Sequence, residues 1–302
     1  MKKRIIITGG TGFLGKSLVP DLLKEGYECV VYTRSPDRYR NEDSLHYKEW
    51  IEDIDYLKTE INGSYAVLNM AGAPVIGSRW TDNYKKEILD SRVDTTNVLV
   101  EAMNSCNNPP VKFLSSSASG YFGNRGDELL TEDSEAGNNF LAEVCKKWEK
   151  SAEKVNDNIR LIIFRTGVVL HPDGGALEQI MRPFKFYVGG SIGTGNQYIS
   201  WITLADWKRF LIFALEKNDV SQKNNLGSPN AVTMDVLTKT IGKVYKKPSI
   251  FKVPSFIVKM ILGEASSTVL DSQRMEPKNI IKANFKYYHN LIEEAIKSFK
   301  KS

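Results

Sequence analysis

Residues 5–26 constrain this chain more than any other stretch. Ile5, Ile6 and Ile7 form a β-branched run, and Thr8-Gly9-Gly10-Thr11-Gly12-Phe13-Leu14-Gly15 follows at once. Leu18, Val19, Leu22 and Leu23 then recur at helical spacing until Gly26 ends the segment. A strand, a glycine turn and a helix are written in one line, the context in which a G-x-G-x-x-G pattern has a physical meaning. On this reading Gly10 permits the tight turn, Gly12 lets the backbone approach a pyrophosphate, and Gly15 lets the helix pack on the strand. The helix N-terminus supplies unpaired N–H groups and a partial positive charge for the phosphates. The stretch predicts a dinucleotide site.

The rest of the chain is consistent with a sizeable globular protein. Its 302 residues are 41% hydrophobic and 25% charged, enough to bury a core and to build a lobe beside a main domain. The net charge of +5 is spread along the chain. The Lys-rich end, Lys297, Lys300 and Lys301, reads as a solvated helix terminus, so no nucleic-acid partner is expected. No segment approaches the roughly 18 apolar residues of a membrane span, and the basic N-terminus lacks the apolar core of a signal peptide. A cytoplasmic monomer or homodimer with no membrane partner is therefore expected. Cys29, Cys106 and Cys145 are odd in number, share no metal-type spacing, and fit reduced thiols. His46, His171 and His289 form no cluster, so no metal site is expected.

Strand and helix patterns alternate through the first half. Strands are expected at 27–32, 66–72, 111–114 and 161–164, with helices from near Thr81 and over 140–155. This alternation predicts an α/β fold, a doubly wound parallel sheet of the Rossmann kind with helices on both faces. After Gly167 the chain becomes loop-rich, and helices return over 206–215, 233–245, 256–262 and 291–299, with Asp206 as the expected cap of the first. The expected division is a Rossmann domain from 1–170 and 200–225, with a smaller α+β substrate lobe from 171–199 and 226–302. The glycine turn, Asn69–Gly72, Ser115-Ser116-Ser117 and Arg165-Thr166-Gly167 would share the rim where ligands bind in open α/β sheets.

Cofactor choice follows from the end of the second strand. An NAD site usually places a carboxylate about 20 residues after the glycines, to bond the ribose 2′-OH. Here the chain reads Val31-Tyr32-Thr33-Arg34-Ser35. A guanidinium suits a 2′-phosphate, so NADP(H) is favoured over NAD(H), with Arg34 as the main contact and Ser35 or Arg38 as helpers.

These motifs resemble the extended short-chain dehydrogenase/reductase superfamily, which holds sugar-nucleotide epimerases and dehydratases. Thr8–Gly15 is similar to its T-G-G-T-G-F-I-G opening. Asn69-Met70-Ala71-Gly72 is similar to its N-x-A-G strand end, which lines the cofactor and so implicates Asn69, Ala71 and Gly72. The stretch from Ser115 through Ser117 to Tyr121 is similar to its S-S-S-A-x-x-Y-G segment, and Gly193-Thr194-Gly195-Asn196-Gln197 through Asp206 to a segment of its substrate lobe. A nearer resemblance is to an atypical branch, the epimerase family proteins, sometimes labelled cell-division inhibitors. It is carried by Arg79-Trp80-Thr81, Ser91-Arg92, Trp148-Glu149, Arg165-Thr166-Gly167, Gly174-Gly175, Ser200-Trp201-Ile202 and Ser228-Pro229-Asn230. Thr203 stands where that branch usually has His, and Asn284 where it usually has Gly.

One expected feature is absent. The superfamily's hydride chemistry normally uses a Tyr-x-x-x-Lys pair, in which the Lys lowers the Tyr pKa for proton transfer. No tyrosine in this chain has a lysine four residues later. Trp148-Glu149 sets a register that puts the two positions at Leu141 and Cys145. The resemblance then leaves Ser117, beside the nicotinamide and able to bond a substrate carbonyl or hydroxyl, and Tyr121 as the phenol nominated for proton donation. Arg79, Lys85 and Lys86 could face an anionic substrate or simply solvent, and Trp201 could stack on a ring or pack in the core. The function expected is an NADP(H)-dependent oxidoreductase or epimerase acting on a small polar molecule. The alternative is a non-catalytic NADP(H)-binding redox sensor.

Overall fold

The computed structural model describes residues 2–77 and 79–300; Lys301 of the Lys-rich end lies outside them. Seven strands form the central sheet: β1 (Arg4–Thr8), β2 (Glu28–Thr33), β3 (Leu45–Glu49), β4 (Ala66–Asn69), β5 (Lys112–Ala118), β6 (Arg160–Thr166) and β7 (Lys223–Leu226). All neighbours run parallel, in the order β3-β2-β1-β4-β5-β6-β7. The chain moves outward from β1 to β3 and then returns to the other side of β1. The order therefore reverses between β1 and β4, and the glycine turn leaves β1 at that point, where open α/β sheets bind ligands.

Period-two alternation decides which side chain meets which layer. Ile5, Ile7, Leu114 and Phe164 pack with α1 (Phe13–Lys24) and α6 (Leu204–Glu216). Ile6, Val67, Phe113 and Ile163 pack on the opposite face, against α2 (Ile54–Ile61), α3 (Asp82–Asn104) and α4 (Phe140–Ala152). The fold is Rossmann-like. A second apolar core, including Leu170, Phe184, Trp201, Leu237 and Ile296, joins α5 (Gly175–Lys185) and α7 (Met234–Tyr245) to the C-terminal helix (Ile292–Lys300). Short two-stranded pairings build the rest of this part, among them Gly189–Ile192 with Ser249–Val253, and α8 (Ser255–Leu262) follows the latter. No helix among the described residues is long and apolar enough to cross a membrane.

Several elements differ from the sequence reading. Strand β5 does not stop at Leu114 but continues through the serines to Ala118, because β6 pairs with it residue by residue to Thr166. Asp206 is not the cap of α6. Thr203 is, its Oγ1 accepting the Asp206 N–H at 3.2 Å. The buried Asp206 carboxylate instead accepts the N–H groups of Tyr288 (2.7 Å) and His289 (3.1 Å), tying the C-terminal segment to α6. Strand β3, helix α2, helix α5 and strand β7 were not anticipated.

Candidate functional site

The glycine turn divides its work among its residues. Gly9 has φ of +72°, and a Cβ there would lie 2.5 Å from the Met70 carbonyl oxygen. The tight turn therefore belongs to Gly9 and not to Gly10, whose missing side chain makes room for Val31 at 2.7 Å. A Cβ on Gly15 would sit 2.4 Å from Gly10 Cα, so α1 packs directly on the turn. Gly12 is different: its Cβ would meet only the Gly9 carbonyl oxygen, at 3.4 Å, and the residue is exposed. Helix α1 starts there without a side-chain cap, whereas Asp53, Thr81, Asn139, Thr203 and Thr233 each cap their helices with a side-chain oxygen. The first N–H groups of α1 thus face open space beside a bare backbone, which fits a pyrophosphate. Thr11 is half-buried, and Leu14 packs into the core. Phe13 is turned away from the turn, its ring filling the space in front of Gly174.

At the end of β2, Thr33 Oγ1 accepts the Ser35 N–H at 3.4 Å. Arg34 is exposed and makes no hydrogen bond or ion pair among the described residues, and the Arg38 side chain is likewise exposed without a partner. At the end of β4, Asn69 is occupied within the protein. It accepts from Thr8 Oγ1 (2.7 Å) and from the Ala71 N–H (3.3 Å), and donates to Thr96 Oγ1 (2.8 Å). This clamp fixes the β4 turn against β1. Gly72 leaves room for the Arg92 guanidinium, which donates to the carbonyls of Ile88 and Ala73. Burial pushes the Arg92 pKa below its ordinary value.

The β5 end is closed. Ser117 is 3% exposed and donates to Glu149 Oε1 at 2.6 Å. Arg165, on the facing residue of β6, makes a two-point pair with the same carboxylate, both bonds 2.8 Å. Burial works against the Arg165 charge, but the hydrogen bonds and charge of Glu149 outweigh it and raise its pKa. The guanidinium stacks 3.5 Å from the centre of the Tyr121 ring. Leu141 packs on Gly120, and Cys145 lies beneath the Ala118 carbonyl, so both side chains meet the β5 end. Burial, with Glu149 close by, pushes the Cys145 thiol up to about 11. Ser115 Oγ is buried on the same side with no hydrogen-bond partner.

Residues 5–143 match the model of the NAD dependent epimerase/dehydratase family, and residues 253–299 match a domain of unknown function, DUF1731. The chain is 34% identical to the epimerase family protein SDR39U1 homolog, chloroplastic, of Arabidopsis thaliana, covering 97% of this chain and 86% of that one. The chain belongs to the epimerase family proteins. Epimerase family protein YfhF of Bacillus subtilis is 32% identical over 97% of this chain and 96% of its own. The crystal structure of human epimerase family protein SDR39U1 (isoform 2) with NADPH matches with a TM-score of 0.89 and 27% identity, covering 99% of each chain. Membership makes this an NAD(P)-binding protein of the short-chain dehydrogenase type.

The structure explains one of this family member's departures. Asn284 has φ of +59°, a left-handed conformation that Gly takes freely and Asn tolerates better than most residues. At the other, Thr203 Oγ1 lies 3.4 Å from His289 Nδ1. The weaker candidates are structural. Trp201 is fully buried, its indole N–H donating to the Asn230 carbonyl. Arg79 donates to the last carbonyls of α8, Lys85 pairs with Glu264, and Lys86 pairs with Asp90. Sequence reasoning put Arg165 on the ligand rim without a partner and gave no role to Glu149 or Arg92. All three lie in motifs that mark the family, and a buried Arg facing a Glu on the adjacent helix is the signal that could have exposed them.

Proposed function

We propose that this protein binds NADP(H) across the rim, with the diphosphate over Gly12 and the α1 N-terminus. Arg34 contacts the 2′-phosphate, with Ser35 and Arg38 beside it. The observation that carries this is the open Gly12 backbone at an uncapped helix, together with a free guanidinium at the end of β2. The human relative solved with NADPH supports the same cofactor. Bound there, NADP(H) supplies a hydride to or from a small polar substrate, as in a reductase or epimerase. Ser117 has committed its proton to Glu149. Its lone pairs would therefore accept from a substrate hydroxyl and would not donate to a carbonyl.

A second reading is favoured by the closed β5 end. Leu141 and Cys145 fill the two positions that would carry Tyr and Lys, and neither is an acid or base suited to neutral pH. A protein of this kind would bind NADP(H) and report it to a partner without turnover. Titration with NADPH and NADH, followed by a screen for NADPH oxidation with carbonyl compounds, separates the readings. Equal affinity for both cofactors would remove the 2′-phosphate assignment. Turnover lost in Ser117→Ala would favour the enzyme, and no turnover with any carbonyl would favour the sensor.

A further inference from the structure

One face of the C-terminal part is apolar, and most of the charges around it are lysines. Phe186, Tyr187 and Val188 form the turn after α5 and are 77%, 59% and 50% exposed. They lie beside Ser249–Val253, because Gly189 pairs with Ser249 and the Lys247 ammonium sits 3.3 Å from the Tyr187 ring centre. In that strand Ile250 is 77% exposed. Helix α8 follows directly and buries only Val258, leaving Phe256, Met260 and Ile261 in solvent. Seven large apolar side chains, each half or more exposed and confined to two neighbouring segments, exceed the singly scattered exposed apolar residues of an ordinary surface.

The charges decide what covers it. Lys185, Lys246, Lys252 and Lys259 surround the patch, and none makes an ion pair among the described residues. No Asp or Glu occurs in 179–190 or 245–263. The acids nearby are few and already engaged: Asp235 lies near Lys252 but is bonded to Ser191 and Lys239, and Glu264 pairs with Lys85. A second copy placed on this face would therefore set lysine mostly against lysine. An anionic bilayer meets both properties: aromatic and aliphatic side chains enter the headgroup boundary while lysine stems reach the phosphates. We propose that this face docks on the surface of an anionic phospholipid membrane, with α8 and the Ser249–Val253 strand as the inserted edge. This goes beyond the cofactor reading and is independent of it. It replaces the expectation of no membrane partner, which rested on the lack of a spanning segment alone.

The full chain is sedimented with vesicles of phosphatidylcholine containing about 30% phosphatidylglycerol, and with phosphatidylcholine alone, at low and high salt. Binding is expected only to the anionic vesicles and is expected to weaken with salt. Lys252→Gln and Lys259→Gln each lower the partition coefficient about fivefold. The pair Ile250→Ser and Phe256→Ser lowers it more than tenfold, while NADPH affinity stays at the native value and reports an intact fold. Three results would overturn the proposal: no preference for anionic vesicles, variants that bind them as the native chain does, or a dimer that the serine variants dissociate while vesicles remain unbound. A change in NADPH affinity in place of vesicle binding would assign the face to the cofactor cleft and overturn it as well.

Discussion

At the β1–β2 half of the rim, polar groups face outward without partners; at the β5–β6 half, the same kinds of group are bonded to one another. Helix α1 begins with free N–H groups over Gly12, and Arg34 has no carboxylate. A few strands away, Arg165 has Glu149, and Ser117 has spent its proton on the same carboxylate. Unpaired polar groups are tolerable at the first half because they are hydrated. At the second half they are buried, and an unpaired charge there would cost several kcal/mol. One half thus leaves its polar groups open, as the proposed cofactor site requires, and the other uses them for its own stability.

The largest effect that tests this contrast lies on the closed side. Glu149→Ala strands the buried Arg165 charge and should cost about 3–5 kcal/mol in denaturant unfolding; a loss below about 1 kcal/mol would mean the pair is hydrated after all. On the open side, Gly12→Val is compatible with the backbone there, at φ −76° and ψ 176°. It should leave the unfolding midpoint in place while weakening NADPH about 100-fold, roughly 3 kcal/mol, by filling the diphosphate space. Arg34→Ala should weaken NADPH by tenfold or more, a loss of about 1.5–3 kcal/mol, and leave NADH unchanged in parallel fluorescence titrations. Ser117→Ala removes one hydrogen bond to a charged group but leaves Glu149 paired, so its cost should stay near 1.5 kcal/mol.

A further effect is a pH dependence, small over any one pH unit. The unfolded chain releases a thiol proton near pH 9, whereas folded Cys145 holds it to about pH 11. Stability should therefore fall as pH rises from 9 towards 11. Cys145→Ala should flatten that limb by on the order of 1 kcal/mol per pH unit, and an unchanged slope would show that the thiol does not sense the closed cluster.

Much of the fold was legible because local pattern and tertiary role agree. The strand, turn and helix of residues 4–24 carry their periodicity openly, and so do β4 and α4. Strand β7 was not legible. Its Lys-Asn-Asn-Leu reads as a polar turn, yet Asn224 and Asn225 are fully buried, their side chains bonded to carbonyls of neighbouring segments. Strand β3 is a polar edge strand, and α5 hides behind its starting glycines and Pro183. In the site, the open half was legible from residue types, since Gly12 and Arg34 are exposed with little around them. The Ser117–Glu149–Arg165 cluster joins three elements across 48 residues, and no local window contains it.

Phe13 is the first residue of α1, and its ring occupies the space that any side chain on Gly174 would need, 2.2 Å from where that Cβ would be. The helix that opens at Gly12 and the first helix of the C-terminal part are therefore seated on each other through two positions 161 residues apart. Substitution at either one is constrained by the other. Over evolutionary time the two positions should vary together, a side chain at 174 going with a smaller residue or a turned ring at 13.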